Sequence, residues 1–345
     1  MAQSAGLLGE LADLLGEAPV VLVDVGARGG IPSRWRTIEP WLRTIGFEPD
    51  PRSDEALNRS ERLTVFPRAL ASRPGSVELH LTAEESDSSV LMPNRPFLSR
   101  FPRAERFEVV ETRTVDGDTL DNQLADGGIE RVDFIKLDTQ GSELMILEGA
   151  RETLRRGVFG IEVEVELNPM YEQQPLLSDI DRFLRPFGYE LFDLEQPRRW
   201  KYRGGEQLAL AHGQIVWTDA VYLLGPDHAL PLLGRNGEVG ADLARVVVIC
   251  LLYDLGDYAL SLLDSLGKDI GRPLRDRLEQ AVRVYDAASK TGRHTLTTRV
   301  SARDMRRVHA VRDQTGISAQ KQLRAALGAW LDARENATEL VRPDE

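Results

Sequence analysis

The run VVLVDVGARGG, Val20 to Gly30, limits the possible folds of this 345-residue chain more than any other segment. A continuous apolar run that stops at glycine is the pattern of a strand buried on both faces. Such strands sit inside parallel sheets covered by helices on either side. The theme repeats as far as Gly225. TIGFEPDP reads as a second strand that ends at Pro49 and Pro51, and SVELHL, Ser76 to Leu81, alternates as a later one. VDFIKLD is a third buried run, FGIEVEVEL a further strand, and YELFDL and DAVYLLG the last strands. Between them, SRWRTIEPWL reads as a helix broken near Pro40. SELMILEGARETLRR reads as a helix with Leu144, Leu147 and Leu154 on one side. LLSDIDRFLRPFGY repeats Leu176, Ile180, Phe183, Leu184 and Phe187 at helical spacing and stops at Gly188. Strand and helix alternating in this way predict an α/β fold, a doubly wound and mainly parallel sheet.

Folds of this kind bind ligands at the carboxyl edge of the sheet. The turn after the first strand, DVGARGG, offers Gly26, Gly29 and Gly30, whose backbone N–H groups can approach a ligand closely. It is not the dinucleotide fingerprint G-x-G-x-x-G, because Asp24 stands where that fingerprint begins. An anion there repels a pyrophosphate and suits an aminoacyl sulfonium ligand. Glu48, in GFEPDP, lies 24 residues further on at the end of the second strand. A carboxylate there can accept both ribose hydroxyls. In the third block, VDFIKLDTQGSELMILEGA, Lys136 and Asp138 share one face of an apolar strand by the period-two rule. Two ionic groups in a buried strand are costly unless paired or at its open end. Asp138, just before TQG, is therefore placed at the ligand-binding edge. Gly141 permits an irregular turn there, and Glu143 suits a helix N-terminus.

In order and spacing these blocks resemble the FkbM family of methyltransferases. The resemblance runs from about Val20 to Leu224 and rests on DVGA, FEPDP, DFIKLDTQGSELMILEGA, VEVELNPMYEQQPLLSDI and the terminal DAVYL. It implies a class I, Rossmann-like methyltransferase fold. It also implies methyl transfer from S-adenosylmethionine to a hydroxyl of a small acceptor, a sugar or natural product. Many relatives carry glutamate at position 140, and the Gln140 of this chain weakens any catalytic role for that side chain. On this reading Asp24, Gly26, Ala27, Gly30, Glu48, Pro49 and Asp138 are the cofactor-binding candidates.

Methyl transfer from a sulfonium is an in-line displacement, so holding the acceptor oxygen in line supplies most of the effect. A general base adds roughly 10²–10⁴-fold. The catalytic candidates are Asp138, Glu164 and Glu166. In GIEVEVEL, Glu162, Glu164 and Glu166 share one face and Ile161, Val163 and Val165 the other. A glutamate row inside a buried sheet is expensive, so either its later members reach the open edge or the strand borders the sheet. Asp138, Glu164 and Glu166 have the chemistry to hold a divalent cation, but no spacing signature demands a metal, and none is assigned. Ser88, Ser89 and Tyr171 fall in loops that can shape an acceptor pocket, and His212 reads as a surface loop residue rather than a base.

The formal charge of −12 argues against a chain that coats nucleic acid or an anionic membrane by bulk charge. The single Cys250 excludes an intrachain disulfide and a thiolate zinc cluster and fits a reducing compartment. The N-terminus lacks the basic leader of a secretory signal, and VVVICLL, Val246 to Leu252, is too short to span a bilayer, so a cytoplasmic protein is expected. The domains expected are an N-terminal helix (1–18), the S-adenosylmethionine-binding domain (19–225), a linker and helical region (226–290) and a C-terminal unit (291–345). That last unit resembles a ribbon-helix-helix module: a short alternating strand, TLTTRV, then two helices. Between Arg293 and Arg334 it holds nine Lys/Arg and three Asp, net +6. Dimerisation or docking is the preferred reading, giving a homodimer, with nucleic acid as the competing partner. Two other functions stay open: an NAD-dependent oxidoreductase and a non-enzymatic, ligand-sensing DNA-associated protein.

Overall fold

The computed structural model describes residues 9–16, 18–50, 52, 62–233, 239–267 and 270–292. The strands are β1 (Val20–Val25), β2 (Leu42–Phe47), β3 (Leu63–Phe66), β4 (Ala69–Leu70), β5 (Gly75–Thr82), β6 (Val109–Asp118), β7 (Phe134–Leu137), β8 (Gly160–Glu166), β9 (Tyr189–Trp200) and β10 (Gln214–Leu224). Seven of them form the central sheet, in the order β3-β2-β1-β7-β8-β10-β9. β1 pairs in parallel with β2 and β7, β2 with β3, and β7 with β8. β10 alone runs against its neighbours, antiparallel to both β8 and β9. The sheet is thus doubly wound and mainly parallel, as the buried runs require. Its last hairpin separates it from the dinucleotide order 3-2-1-4-5-6.

β1 is buried along its whole length because it lies between two strands and under two helical layers. By the pleat, Phe134, Lys136 and Glu162 point to one face of the sheet. Tyr253, just after the helix Val239–Leu252, stacks on Phe134 at 5.0 Å and donates to Glu162 at 2.7 Å, so that helix covers this face. The helices Gly9–Leu15 and Gly256–Leu266 pack against Val239–Leu252. The helices Glu143–Glu148 and Leu177–Leu184 contact β8 and each other.

Several sequence expectations change in detail. SELMILEGARETLRR is two helices, Glu143–Glu148 and Arg151–Gly157, because Gly149 is pressed against Ala71: a Cβ at Gly149 would lie 2.2 Å from the Ala71 carbonyl oxygen. SRWRTIEPWL forms a kinked 3-10 helix, Trp35–Trp41, with Pro40 inside it. SVELHL belongs not to the central sheet but to a separate three-stranded sheet, β4-β6-β5. Its partner β6 is largely exposed on both faces, so it carries no apolar alternation to betray it. Residues 226–290, read from the sequence as lying outside the 19–225 domain, send Leu243, Val247, Ile249, Leu262 and Leu278 into the same core as β1 and β8. Burying that apolar face against the sheet is what makes the segment stable as helices.

The chain divides into two units, 1–289 and 290–345. The ribbon-helix-helix expectation for 291–345, and with it the homodimer and nucleic-acid readings, lies outside the described residues. Among the described residues no helix is long and apolar enough to cross a membrane.

Candidate active site

The carboxyl ends of β1, β2, β7 and β8 meet in a cleft of about 420 Å³. Gly26, Glu48, Pro49, Asp138, Gln140 and Glu164 are among the residues lining it. Gly26 turns the chain at φ +81°, and a Cβ there would sit 2.0 Å from the Asp138 carbonyl oxygen. Only glycine lets the β1 turn nest against the end of β7. The Gly26 and Ala27 N–H groups donate to the Phe47 carbonyl at 2.9 and 3.2 Å, which locks the β1 and β2 ends side by side. Glu48 follows directly, and one of its carboxylate oxygens accepts the Asp50 N–H at 2.8 Å. Burial pushes the Glu48 carboxyl up to about 7.

Four of the cofactor-binding and catalytic candidates do not line the cleft. Ala27 is buried, its Cβ packed against the backbone of Gly46. Gly30, at φ +81°, closes the turn by donating to the Ala27 carbonyl. Asp24 is 2% exposed, and its Oδ1 has no hydrogen-bond partner among the described residues. Burial raises its carboxyl to about 7, against the pull of the Lys136 ammonium. Glu166 is likewise buried, with Oε1 unpartnered among the described residues and its carboxyl pushed well above the ordinary range by burial and by Glu143.

β8 is internal to the sheet, between β7 and β10, so its glutamates are not at a border. Each is dealt with separately: Glu162 accepts from Tyr253, Glu164 accepts the Gln140 amide at 2.6 Å, and Glu166 stays buried. Burial, then Asp138 and Glu166, push Glu164 well above the ordinary carboxyl range. Asp24, Lys136 and Glu162 stand in register across β1, β7 and β8. Burial alone would lower the Lys136 ammonium, but Asp138, Asp24, Glu162 and Asp219 together hold it above its ordinary value. Its Nζ lies 3.3 Å from Asp138 Oδ2.

The turn that carries Asp138 is held from every side. Gln140 adopts φ +59°, a strained conformation for a residue with a Cβ, and Gly141 follows at +104°. The Gln140 amide donates to Asp138 at 3.0 Å and to Glu164, its side-chain oxygen accepts from Tyr171 at 3.3 Å, and its carbonyl accepts from Ser89 at 2.8 Å. Glu143 accepts the Thr139 and Gly141 N–H groups at 2.7 and 3.2 Å. Tyr171 is fully buried and also donates to the Asp87 carbonyl at 2.8 Å. Ser88 accepts from Arg52 at 2.9 Å, which ties its loop to the end of β2. His212 is exposed.

Sequence reasoning missed the roof of the cleft. A second apolar cluster, Phe97, Leu98, Phe101, Phe107, Met170, Tyr171 and Val216, stands apart from the main core, with Trp200 and Trp217 packed on it. Both tryptophans line the cleft, as do Arg28, Arg68 and the ion-paired Asp87 and Arg106. The cluster comes from three segments far apart in sequence, and no local spacing links them. Among the described residues no group of three or more His, Cys, Asp or Glu is placed to hold a metal ion.

Comparison with known proteins gives the following. The family profile described as a methyltransferase FkbM domain matches residues 24–191. The 2-O-methyltransferase NoeI of Sinorhizobium fredii is 29% identical over 188 residues, covering 50% of this chain and 74% of that protein. The solved methyltransferase FkbM from Methylobacillus flagellatus aligns over 59% of this chain at 19% identity and a TM-score of 0.34, and this chain spans only 43% of its length. The magnesium protoporphyrin IX methyltransferase of Synechocystis, solved with bound SAM, aligns over 64% of this chain and 79% of its own at 10% identity and a TM-score of 0.31.

Proposed function

We propose, from the match of residues 24–191 to a methyltransferase FkbM domain, that the chain transfers a methyl group from S-adenosylmethionine to a hydroxyl oxygen of a small acceptor, a sugar or natural product. The observation that carries this reading is the convergence of Gly26, Glu48 and Asp138, from the ends of three adjacent parallel strands, on one cleft. That edge of a doubly wound sheet is where such folds bind nucleosides.

The residues fit that cofactor. Among the described residues only the Asp50 amide bonds to the Glu48 carboxylate, which leaves an oxygen for ribose hydroxyls. Asp24, buried beneath the lining, acts through its charge alone, which favours a cationic ligand group in the cleft and opposes a pyrophosphate. When bound, S-adenosylmethionine supplies an already activated methyl group, so the protein's task is to hold the acceptor oxygen in line. Asp138, with its side chain 38% exposed on the cleft wall, is the carboxylate best placed to take the acceptor proton. Lys136 and Gln140 fix it there at 3.3 and 3.0 Å. Glu164, its carboxyl pushed upward by burial, Asp138 and Glu166, lines the cleft and accepts the Gln140 amide, so it holds the turn that carries Asp138. Glu166 supports the site from behind the lining. The relative NoeI, named as a 2-O-methyltransferase, supports oxygen as the methylated atom.

Calorimetric titration with S-adenosylhomocysteine, with NAD in parallel, tests the assignment. Wild type is expected to bind the former alone. Glu48→Ala is expected to weaken that binding roughly tenfold or more, the loss for a charge-assisted hydrogen bond, and Asp24→Ala to weaken it indirectly, through Lys136 and the Asp138 that Lys136 holds. Unchanged affinity in both variants overturns the site, and binding of NAD alone overturns the function.

A further inference from the structure

Beside the cleft lies a second cavity of about 330 Å³, and the two share a wall made of Arg106, Phe107 and Trp200. Its rim carries Arg103, Arg199 and Lys201, and Glu206 is the one acid among its lining residues. Two segments build this side of the molecule. Residues 95–106 and 198–203 together hold eight Lys/Arg and one Glu, in a chain whose net charge is −12. Arg106 is committed to Asp87, reaching Oδ1 at 2.8 Å. The other three cations have no carboxylate partner among the described residues. Lys201 donates only to the Glu206 and Leu208 carbonyls, at 3.1 and 2.7 Å, Arg199 only weakly to the Gly213 carbonyl, and Arg103 to nothing. Arg103 is also held at φ +62°, an unusual conformation for a residue with a Cβ, at the mouth of the cavity.

Around this cavity Arg103, Arg199 and Lys201 outnumber the one acid, Glu206, so its field is positive and an anion relieves the repulsion among the cations. Phe101, Phe107 and Trp200 give the same cavity flat apolar walls, which suit the faces of a sugar ring. The volume admits a small anion with one ring and excludes a nucleic-acid duplex.

We propose that the acceptor is an anionic sugar. Its reacting hydroxyl lies in the main cleft, and a phosphate, sulfate or carboxylate substituent is held in the adjacent cavity by Arg103, Arg199 and Lys201. This assignment rests on the methyltransferase reading and names the substrate class for it. Arg106 and Trp200, shared by the two cavities, set the distance between the anionic group and the hydroxyl that is methylated.

The test titrates the full chain with inorganic pyrophosphate at low ionic strength, in saturating S-adenosylhomocysteine so that the cofactor site is filled. Wild type is expected to bind saturably. The Arg103→Gln/Arg199→Gln variant, which leaves the Lys201 backbone contacts intact, is expected to bind at least about tenfold more weakly. Its S-adenosylhomocysteine affinity is expected to stay at the wild-type value, which also shows that it folds. Lys201→Met is expected to lower pyrophosphate affinity in the same direction. Absent saturable binding by wild type, or equal binding by wild type and the double variant, overturns the proposal. Glucuronate in place of pyrophosphate distinguishes a carboxylate-bearing acceptor from a phosphate-bearing one, and both results support the anion site. If wild type fails to bind S-adenosylhomocysteine, the cofactor reading falls by itself, while the pyrophosphate comparison still judges the anion cavity.

Discussion

Asp24→Asn separates stability from binding at one residue. Asp24 is buried, and its carboxyl is raised from an ordinary 3.8 to about 7, chiefly by burial. The unfolded chain ionises near 3.8, so the folded state loses stability as pH rises from there, and the penalty is complete above about 7. At about 1.4 kcal/mol for each pH unit, the full cost is about 4 kcal/mol above pH 7 and about 2 kcal/mol at pH 5.5. Asparagine keeps the shape and does not ionise. The stability of the variant relative to wild type is therefore expected to rise by about 2 kcal/mol between pH 5.5 and 8.5. Differences in packing cancel in that comparison, as does Asp219, which is present in both proteins, while Glu48, raised in part by Asp24, titrates slightly lower in the variant. For a unit of this size the change is about 4 °C in the relative melting temperature, read by thermal unfolding of the ligand-free proteins. The same variant is expected to bind S-adenosylhomocysteine more weakly. A melting-temperature difference that is equal at the two pH values refutes the argument that Asp24 is held against ionisation.

Gly26→Ala places a Cβ 2.0 Å from the Asp138 carbonyl oxygen at a φ of +81°, so it is expected to abolish S-adenosylhomocysteine binding in calorimetry; wild-type affinity would show that the β1 turn does not need glycine. Tyr171→Phe removes the hydroxyl that bonds the Asp87 carbonyl and Gln140, and a loss of about 1–3 kcal/mol is expected in denaturant unfolding, with no loss if those bonds are unimportant. Arg245→Met takes a buried cation, 3.5 Å from Asp133, away from the middle of the helix Val239–Leu252. About 3–5 kcal/mol of stability should go, with S-adenosylhomocysteine affinity of the folded protein unchanged; a variant as stable as wild type would mean the pair does not hold the helix down.

The buried strands are legible wherever burial on two faces leaves a continuous apolar run, as in VVLVDV and DFIKL, and the turn glycines and the acid ending β2 can be named because each occupies a fixed offset from such a run. Local pattern sufficed there because a strand's neighbours above and below impose the same demand on every residue. β6 escaped notice because both its faces are exposed, and the helix Val239–Leu252 was placed outside the domain because apolar periodicity says that a face is buried without saying against what. The sequence put Glu162, Glu164 and Glu166 on one face of a strand. Only the fold assigned Glu162 to Tyr253, Glu164 to Gln140 and the cleft, and Glu166 to the interior. Asp24 was named as a ligand-binding residue, and its place beneath the cleft lining beside Lys136 came from strand register. The roof of Phe107, Trp200 and Trp217, and the cationic cavity beside it, exist only where residues 95–107, 167–171 and 198–217 meet. A chain's periodicity records the environment of each residue. Which distant residue fills that environment is settled by packing in three dimensions, and that is where the roof of the cleft was decided.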